Sequence, residues 1–206
     1  MPSNSEQPDS IDFDDVTQVH DWITQTVHQR VWRPRLFAAI AAALNGAFDR
    51  AIDVAELGCD AGHLAREILD TCCVASYAAV DSSAAQHDAA RKSIGDAVSR
   101  VRFVVTDPQA ADWAAGLPPV DAVLAMPALD SRASPDHMPS LFSRIREMLR
   151  PEGLLLYCDQ FRQDGVQGQA PRPHRDELPN LLKGAGFRRV EELMELGGMV
   201  LVRAVA

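Results

Sequence analysis

The stretch Val54-Ala-Glu-Leu-Gly-Cys-Asp-Ala-Gly-His-Leu64 decides how this chain is read. It joins an apolar strand, predicted over Ile52–Leu57, to a helix predicted over His63–Thr71. Glu56 stands near the strand end. Gly58 and Gly62 in the turn let backbone approach a ligand closely at a helix N-terminus. The same glycines also serve a tight turn that binds nothing. The next two strands separate these readings.

Tyr77-Ala-Ala-Val-Asp81 reads as a second strand ending in an acid, nineteen residues beyond Gly62, where a carboxylate accepts both hydroxyls of a ribose. Val101-Arg-Phe-Val-Val-Thr-Asp107 is a third strand ending the same way. Any one of Glu56, Asp81 and Asp107 could be a solvated loop acid. Three of them at the carboxyl ends of neighbouring strands fall where ligands bind in open α/β sheets.

The alternation extends on both sides. Strands are predicted near Ala75–Val80, Val101–Thr106, Val120–Met126 and Leu154–Asp159, with helices near Ala84–Val98 and Pro139–Leu149 and a short one near Gln109–Ala115. Apolar strands divided by helices indicate a parallel sheet covered on both faces. The end departs from this. After a helix near Asp176–Ala185, Phe187–Leu193 and Met199–Val205 are separated by a short segment containing Gly197 and Gly198. That is a hairpin, and its last strand runs antiparallel. Ahead of the sheet, helices are predicted from Phe13 to Gln29 and from Pro34 through Ala47, proline being suited to a first helical turn.

These residues together resemble the class I S-adenosylmethionine-dependent methyltransferases. Glu56-Leu-Gly-Cys-Asp-Ala-Gly62 is similar to that family's acid followed by G-x-G-x-G, and Asp81 and Asp107 match its ribose and adenine acids. Val120-Asp-Ala-Val-Leu-Ala-Met126, Arg144-Ile-Arg-Glu-Met-Leu-Arg-Pro-Glu-Gly153 before Leu154–Asp159, and Leu181-Leu-Lys-Gly-Ala-Gly-Phe187 extend the likeness over about Ile52 to Ala206. The resemblance implies a Rossmann-like α/β fold: a doubly wound sheet of seven mostly parallel strands in the order 3-2-1-4-5-7-6, with helices on both faces. With a flexible acidic tail over 1–11, read from its polar composition, the chain divides further into a helical lid over 12–50 and a methyltransferase domain over 51–206.

The cofactor implied is S-adenosyl-L-methionine, leaving as S-adenosyl-L-homocysteine. By resemblance Glu56 holds its ammonium, directly or through water, and the Gly58–Gly62 turn makes room for the methionine backbone. Asp81 takes the ribose diol, Ser82 lies beside the adenine edge, Asp107 accepts from the exocyclic amine, and Met126 borders the transferring methyl. Two positions depart from the family. Asp60 stands where its middle glycine would be, either holding the ammonium or repelling the carboxylate. Pro108 follows Asp107 and has no N–H for the adenine ring, so that either cofactor affinity is reduced or Gln109 substitutes.

A base is needed only where the acceptor must lose a proton. His137, after the fourth strand, and His174, after the fifth, are the candidates; each is otherwise a loop or helix-start residue in solvent. His174 sits among Arg162, Arg172 and Arg175, which together suit an anionic acceptor. His63 is expected to pack near the cofactor and Tyr157 in the core. Trp22 and Trp32 either cap the pocket or pack in the core.

Composition narrows the alternatives. The 206 residues carry a net charge of -9, and six of the excess acids lie between Glu6 and Asp21. An acidic chain argues against a nucleic-acid partner, whose phosphates call for clustered Lys and Arg. The apolar runs Leu36–Leu44 and Leu154–Cys158 are too short to span a bilayer. The first ten residues lack the apolar core of a secretory signal. Cys59, Cys72, Cys73 and Cys158 show no metal-ligand spacing and read as reduced thiols of a cytoplasmic protein. The expectation is a small-molecule methyltransferase, of unassigned oligomeric state and without a metal. The alternatives are a non-catalytic protein of the same fold that binds S-adenosylmethionine or S-adenosylhomocysteine, and a nicotinamide-dependent oxidoreductase. The last is opposed by the missing G-x-G-x-x-G and Tyr-x-x-x-Lys patterns. Met126-Pro-Ala-Leu, in place of an Asn/Asp-Pro-Pro-aromatic segment, argues against an adenine- or cytosine-directed nucleic-acid enzyme.

Overall fold

Seven strands form one sheet in the order β3-β2-β1-β4-β5-β7-β6. The computed structural model describes residues 15–21, 32–108, 110, 112–126, 135–161 and 174–206. The strands are β1 (Ile52–Leu57), β2 (Val74–Asp81), β3 (Val101–Val105), β4 (Val120–Ala125), β5 (Leu149–Asp159), β6 (Arg188–Leu196) and β7 (Met199–Val205). β1 pairs in parallel with β2 and β4, β2 with β3 and β4 with β5, while β7 lies antiparallel between β5 and β6. The parallel pairs need crossover helices, and the sequence supplies them in the gaps.

The helices are α1 (Arg33–Ala47), α2 (His63–Thr71), α3 (Ala84–Ile94), α4 (Met138–Met148) and α5 (Leu178–Gly184). Residues 16–21 are also helical, within the helix predicted for 13–29. The rest of that span, the predicted 1–11 tail and positions 109 and 111 of the predicted 109–115 helix lie outside the described residues. α3 is shorter than the span predicted to Val98. Gly95, at φ +66°, caps it, and the chain continues to Arg100 as a 3-10 helix. β5 starts earlier than predicted, because Leu149 already pairs with Val120. The register then shifts and resumes at Leu154, with Glu152 at φ +63° in the interruption.

Two apolar layers enclose the sheet. On one face α1, α2 and α3 bury Leu36, Ile40, Leu44, Leu64, Ile68 and Ile94 against alternate residues of the central strands. On the other, α4 and α5 bury Phe142, Ile145, Leu178 and Leu182, with Trp113, against the remaining ones. Each such side chain contributes ~1.5–3 kcal/mol on leaving water. Part of the span expected as a lid belongs to the first of these layers. α1 is built into the core layer on the sheet, because Leu36, Phe37, Ile40, Ala41 and Leu44 form one apolar stripe.

Trp32, half-buried just before α1, packs on this layer and against the β6–β7 turn. A Cβ on Gly197 would stand 2.6 Å from its Cδ1. Of the two indoles considered as pocket caps, Trp32 takes the packing role, and Trp22 lies outside the described residues.

At the amino ends of the strands a polar knot closes the sheet. Buried Asp121 accepts from Arg50 (2.8 and 3.0 Å), Arg150 (2.9 Å) and the Asp53 N–H (2.9 Å). No helix among the described residues is long and apolar enough to cross a membrane.

Candidate cofactor site

Three backbone hydrogen bonds set the carboxyl ends of the strands side by side. Met126 N–H donates to Leu57 O (3.4 Å), Gly58 N–H to Val80 O (2.9 Å) and Thr106 N–H to Asp81 O (3.0 Å). They place Glu56, Gly58, Asp81, Asp107 and Met126 along one edge. This is the row of strand ends that the sequence pattern predicts.

Glu56 is 1% exposed, and its Oε2 accepts from Tyr77 OH at 2.8 Å. Burial pushes its pKa up to about 8. The Tyr77 bond opposes this, and the charges of Asp60 and Asp81 add to it. The carboxyl is thus largely protonated at neutral pH and is poised to ionise when a cation arrives. Asp81 is buried on the next strand and is raised mainly by burial. The Ser83 N–H (2.9 Å) and the amides of Cys59 and Asp60 counter that shift. Ser83 also caps α3, accepting from Gln86 N–H at 3.1 Å, so the Asp81 carboxylate is fixed by the helix start that follows it.

The turn between β1 and α2 is closely packed. Gly62 sits at φ +76°, and a Cβ there would meet the Cα and Cβ of Ala90 on α3 at 2.9 Å. Only glycine lets the two helices approach this far. Asp60 stays within the turn at φ +46°, and its Oδ2 lies 2.7 Å from Arg33 Nη1 at the start of α1. Its Oδ1 is buried without a hydrogen-bond partner.

The remaining predicted positions are spread along the rim. Met126 is buried, while Ser82 and Asp107 are exposed; Asp107 O accepts from Ala110 N–H at 2.9 Å. Pro108 is buried, and Gln109 lies outside the described residues. His63, at the first turn of α2, has Nδ1 3.2 Å from Ser93 Oγ and a buried Nε2 without a partner. Burial lowers its pKa, with the charge of Asp60 opposing and that of Arg33 adding. Beside it a cavity of about 590 Å³, bounded by Val19, His20, Ala61, His63, Ala85 and Lys92, separates residues 16–21 from α2 and α3.

His137 is exposed in the 3-10 turn Pro135–His137 before α4. His174 is half-buried, its N–H donating to Glu177 Oε2 at 3.1 Å. Of the arginines expected around His174, Arg175 pairs with acids of β6. That guanidinium is held by Glu192, and by Glu195 at 2.8 Å, so its charge is spent on β6. Arg162 and Arg172 lie outside the described residues.

Sequence reasoning missed four residues. Tyr77 and Arg33 act through partners 21 and 27 positions away. Asp159 is a buried acid at the end of β5, accepting from Tyr157 OH and Gln160 N–H, each at 2.5 Å. The strand-end rule that selected Asp81 also selects it. His87 on α3 is 1% exposed and edge-on to Phe103, with neither ring nitrogen partnered; burial lowers its pKa to about 4.

The arrangement suits a ligand that carries positive charge at the turn and a diol beside it. Glu56 feels the charges of Asp60 and Asp81, Asp81 feels that of Asp60, and Asp60 Oδ1 lacks a donor. Residues 54–153, just under half of the chain, match the family model described as Methyltransferase domain. No curated protein matches the sequence.

Among solved structures the fold is shared with an O-methyltransferase family protein from Burkholderia thailandensis. The TM-score is 0.68 and the identity 20%, covering 83% of this chain and 56% of that one. It is shared with human N-acetylserotonin methyltransferase in complex with SAM (TM-score 0.65, 17% identity, 94% of this chain and 57% of that one). It is shared too with the N-methyltransferase NodS from Bradyrhizobium japonicum WM9 (TM-score 0.67, 16% identity, 84% and 94%). The chain spans just over half the length of the first two.

Proposed function

We propose that this protein is an S-adenosylmethionine-dependent methyltransferase that acts on a small-molecule acceptor by in-line displacement. The observation that carries the reading is the buried pair Glu56 and Asp81 at adjacent strand ends around the Gly58–Gly62 turn. The cofactor, when bound, supplies a methyl on a sulfonium. Glu56 holds the ammonium, the glycine turn admits the methionine backbone, and Asp81 accepts the ribose hydroxyls. Ser82 and Asp107 line the adenine end, and Met126 borders the methyl with an apolar, water-excluding side chain. The protein's contribution is alignment of acceptor, methyl and sulfur. Where the acceptor must lose a proton, His137 and His174 are the proposed bases. A small acceptor is supported by likeness to N-acetylserotonin methyltransferase.

Calorimetry with S-adenosylmethionine, S-adenosylhomocysteine and NAD tests the reading. Heat is expected with both sulfur ligands and not with NAD; no heat with either sulfur ligand overturns it. A second reading, a non-catalytic binder of the same ligands, is favoured by Pro108, which removes an amide from the adenine end. Binding without turnover across oxygen, nitrogen and carbon acceptors supports it.

A further inference from the structure

We propose that Arg33 and Asp60 form a clamp for the amino-acid end of the cofactor, Asp60 Oδ1 sharing the α-ammonium's three N–H donors with Glu56 and Arg33 receiving the α-carboxylate. This rests on the methyltransferase reading, adds Arg33 to it and chooses between the two roles that the sequence left open for Asp60.

Asp60 occupies the position of the family's middle glycine, at φ +46°, a left-handed conformation that strains an aspartate less than most non-glycine residues. The aspartate is held there against that strain and carries two unequal oxygens. Oδ2 is paired with Arg33 Nη1 at 2.7 Å, and Oδ1 is buried with no hydrogen-bond partner. A buried carboxylate oxygen without a donor is costly, and a ligand ammonium is a donor of the right charge.

Arg33 is the matching half. Its side chain is 13% exposed and that of Asp60 17%, so water screens the pair weakly. It stands in the first turn of α1, with Pro34 beside it, and the helix is anchored in the core through Leu36, Phe37 and Ile40. The guanidinium is therefore presented by a rigid element. It has five N–H donors in a planar fork, of which the contact to Oδ2 engages one nitrogen, and the fork suits a second carboxylate. Both groups border the turn through which the methionine backbone runs. The positive charge of Arg33 also removes the repulsion that a lone aspartate at position 60 would exert on the ligand carboxylate.

A purely structural latch between α1 and the turn gives a different result, and two probes separate the cases. S-adenosylhomocysteine and 5′-methylthioadenosine share the nucleoside and thioether, and the second lacks the amino-acid end. Calorimetry on the full chain is expected to show wild type preferring S-adenosylhomocysteine. Arg33→Gln should cut that preference roughly tenfold, the scale of one charge-assisted hydrogen bond, with the Kd for 5′-methylthioadenosine changing by less than about twofold. Asp60→Gly, which relieves the backbone and so keeps the fold, should narrow the preference in the same way. Asp81→Ala should weaken both ligands. If both variants keep the wild-type preference, or weaken the two ligands equally, the clamp is wrong while the methyltransferase reading stands. The same holds if wild type binds both probes with equal affinity. If wild type binds neither probe, both readings fall together.

Discussion

Glu56 is the residue whose titration says most about the site. Its folded pKa of about 8 lies above the ordinary 4.5, so the folded chain holds this proton more tightly than the unfolded one. Its contribution to stability is full below pH 4.5 and declines as pH rises to 8. Glu56→Gln should therefore raise the unliganded melting temperature at pH 8 and leave it nearly unchanged at pH 4. Ligand binding has the opposite sign. An ammonium needs the ionised carboxylate, so affinity for S-adenosylhomocysteine should rise with pH from 6 and level off near 8, and the glutamine variant should lose both affinity and this slope. A flat profile in wild type would remove the ammonium from Glu56. At Asp81 the expectation is a loss of ~1.5–3 kcal/mol of binding on Asp81→Ala, read by calorimetry. Unchanged affinity in a folded variant would show the ribose lies elsewhere.

Between elements, the turn from β1 into α2 sets the geometry, and Gly62 is its tightest point. Gly62→Ala places a methyl 2.9 Å from the backbone and side chain of Ala90 and strains a left-handed residue. A loss of about 2–4 kcal/mol in denaturant unfolding is expected from the two effects together.

This turn was legible because its signals are local: an apolar strand, an acid, two glycines and a helix within eleven residues. So were Asp81 and Asp107, which repeat the strand-then-acid pattern. The long-range partners were not. Tyr77 meets Glu56 because parallel pairing sets Glu56 opposite Ala79, with Tyr77 two residues away on the same face. That contact follows from register, which composition does not encode. Arg33 is, in sequence terms, only a residue before a helix, since its role depends on where α1 docks. The early start of β5 escaped for a similar reason. Leu149 joins β4 across an irregular Pro151-Glu152-Gly153 interruption, whereas the local pattern reads as a helix end followed by a turn.

Across the whole molecule the two ends of the sheet treat acids differently. At the amino ends, Asp121 and Asp53 are compensated by Arg50 and Arg150. Burial pushes the Asp121 carboxyl up, but the bonds from Arg50, the Asp53 amide and Arg150 outweigh it and hold it at about 2. That lowered value contributes stability above pH 3.8, which is lost as pH falls toward 2. Asp121→Asn should flatten this acid limb in melts between pH 4 and 2 and lower stability at pH 7 by about 1–3 kcal/mol. At the carboxyl ends, Glu56 and Asp81 have raised pKa values, and that is where a cation is useful. Stability is concentrated at one end and binding capacity at the other.

The contact between Trp32 and the Gly197 turn has an optical consequence. Trp113 is sealed in the core, whereas Trp32 is half-buried and one peptide bond from Arg33. In a Trp22→Phe background these two indoles emit from unlike surroundings, and a ligand carboxylate arriving at Arg33 alters the electric field at one of them. The red side of the emission band should shift on titration with S-adenosylhomocysteine while the blue side holds still, so the chain carries its own fluorescent gauge of occupancy.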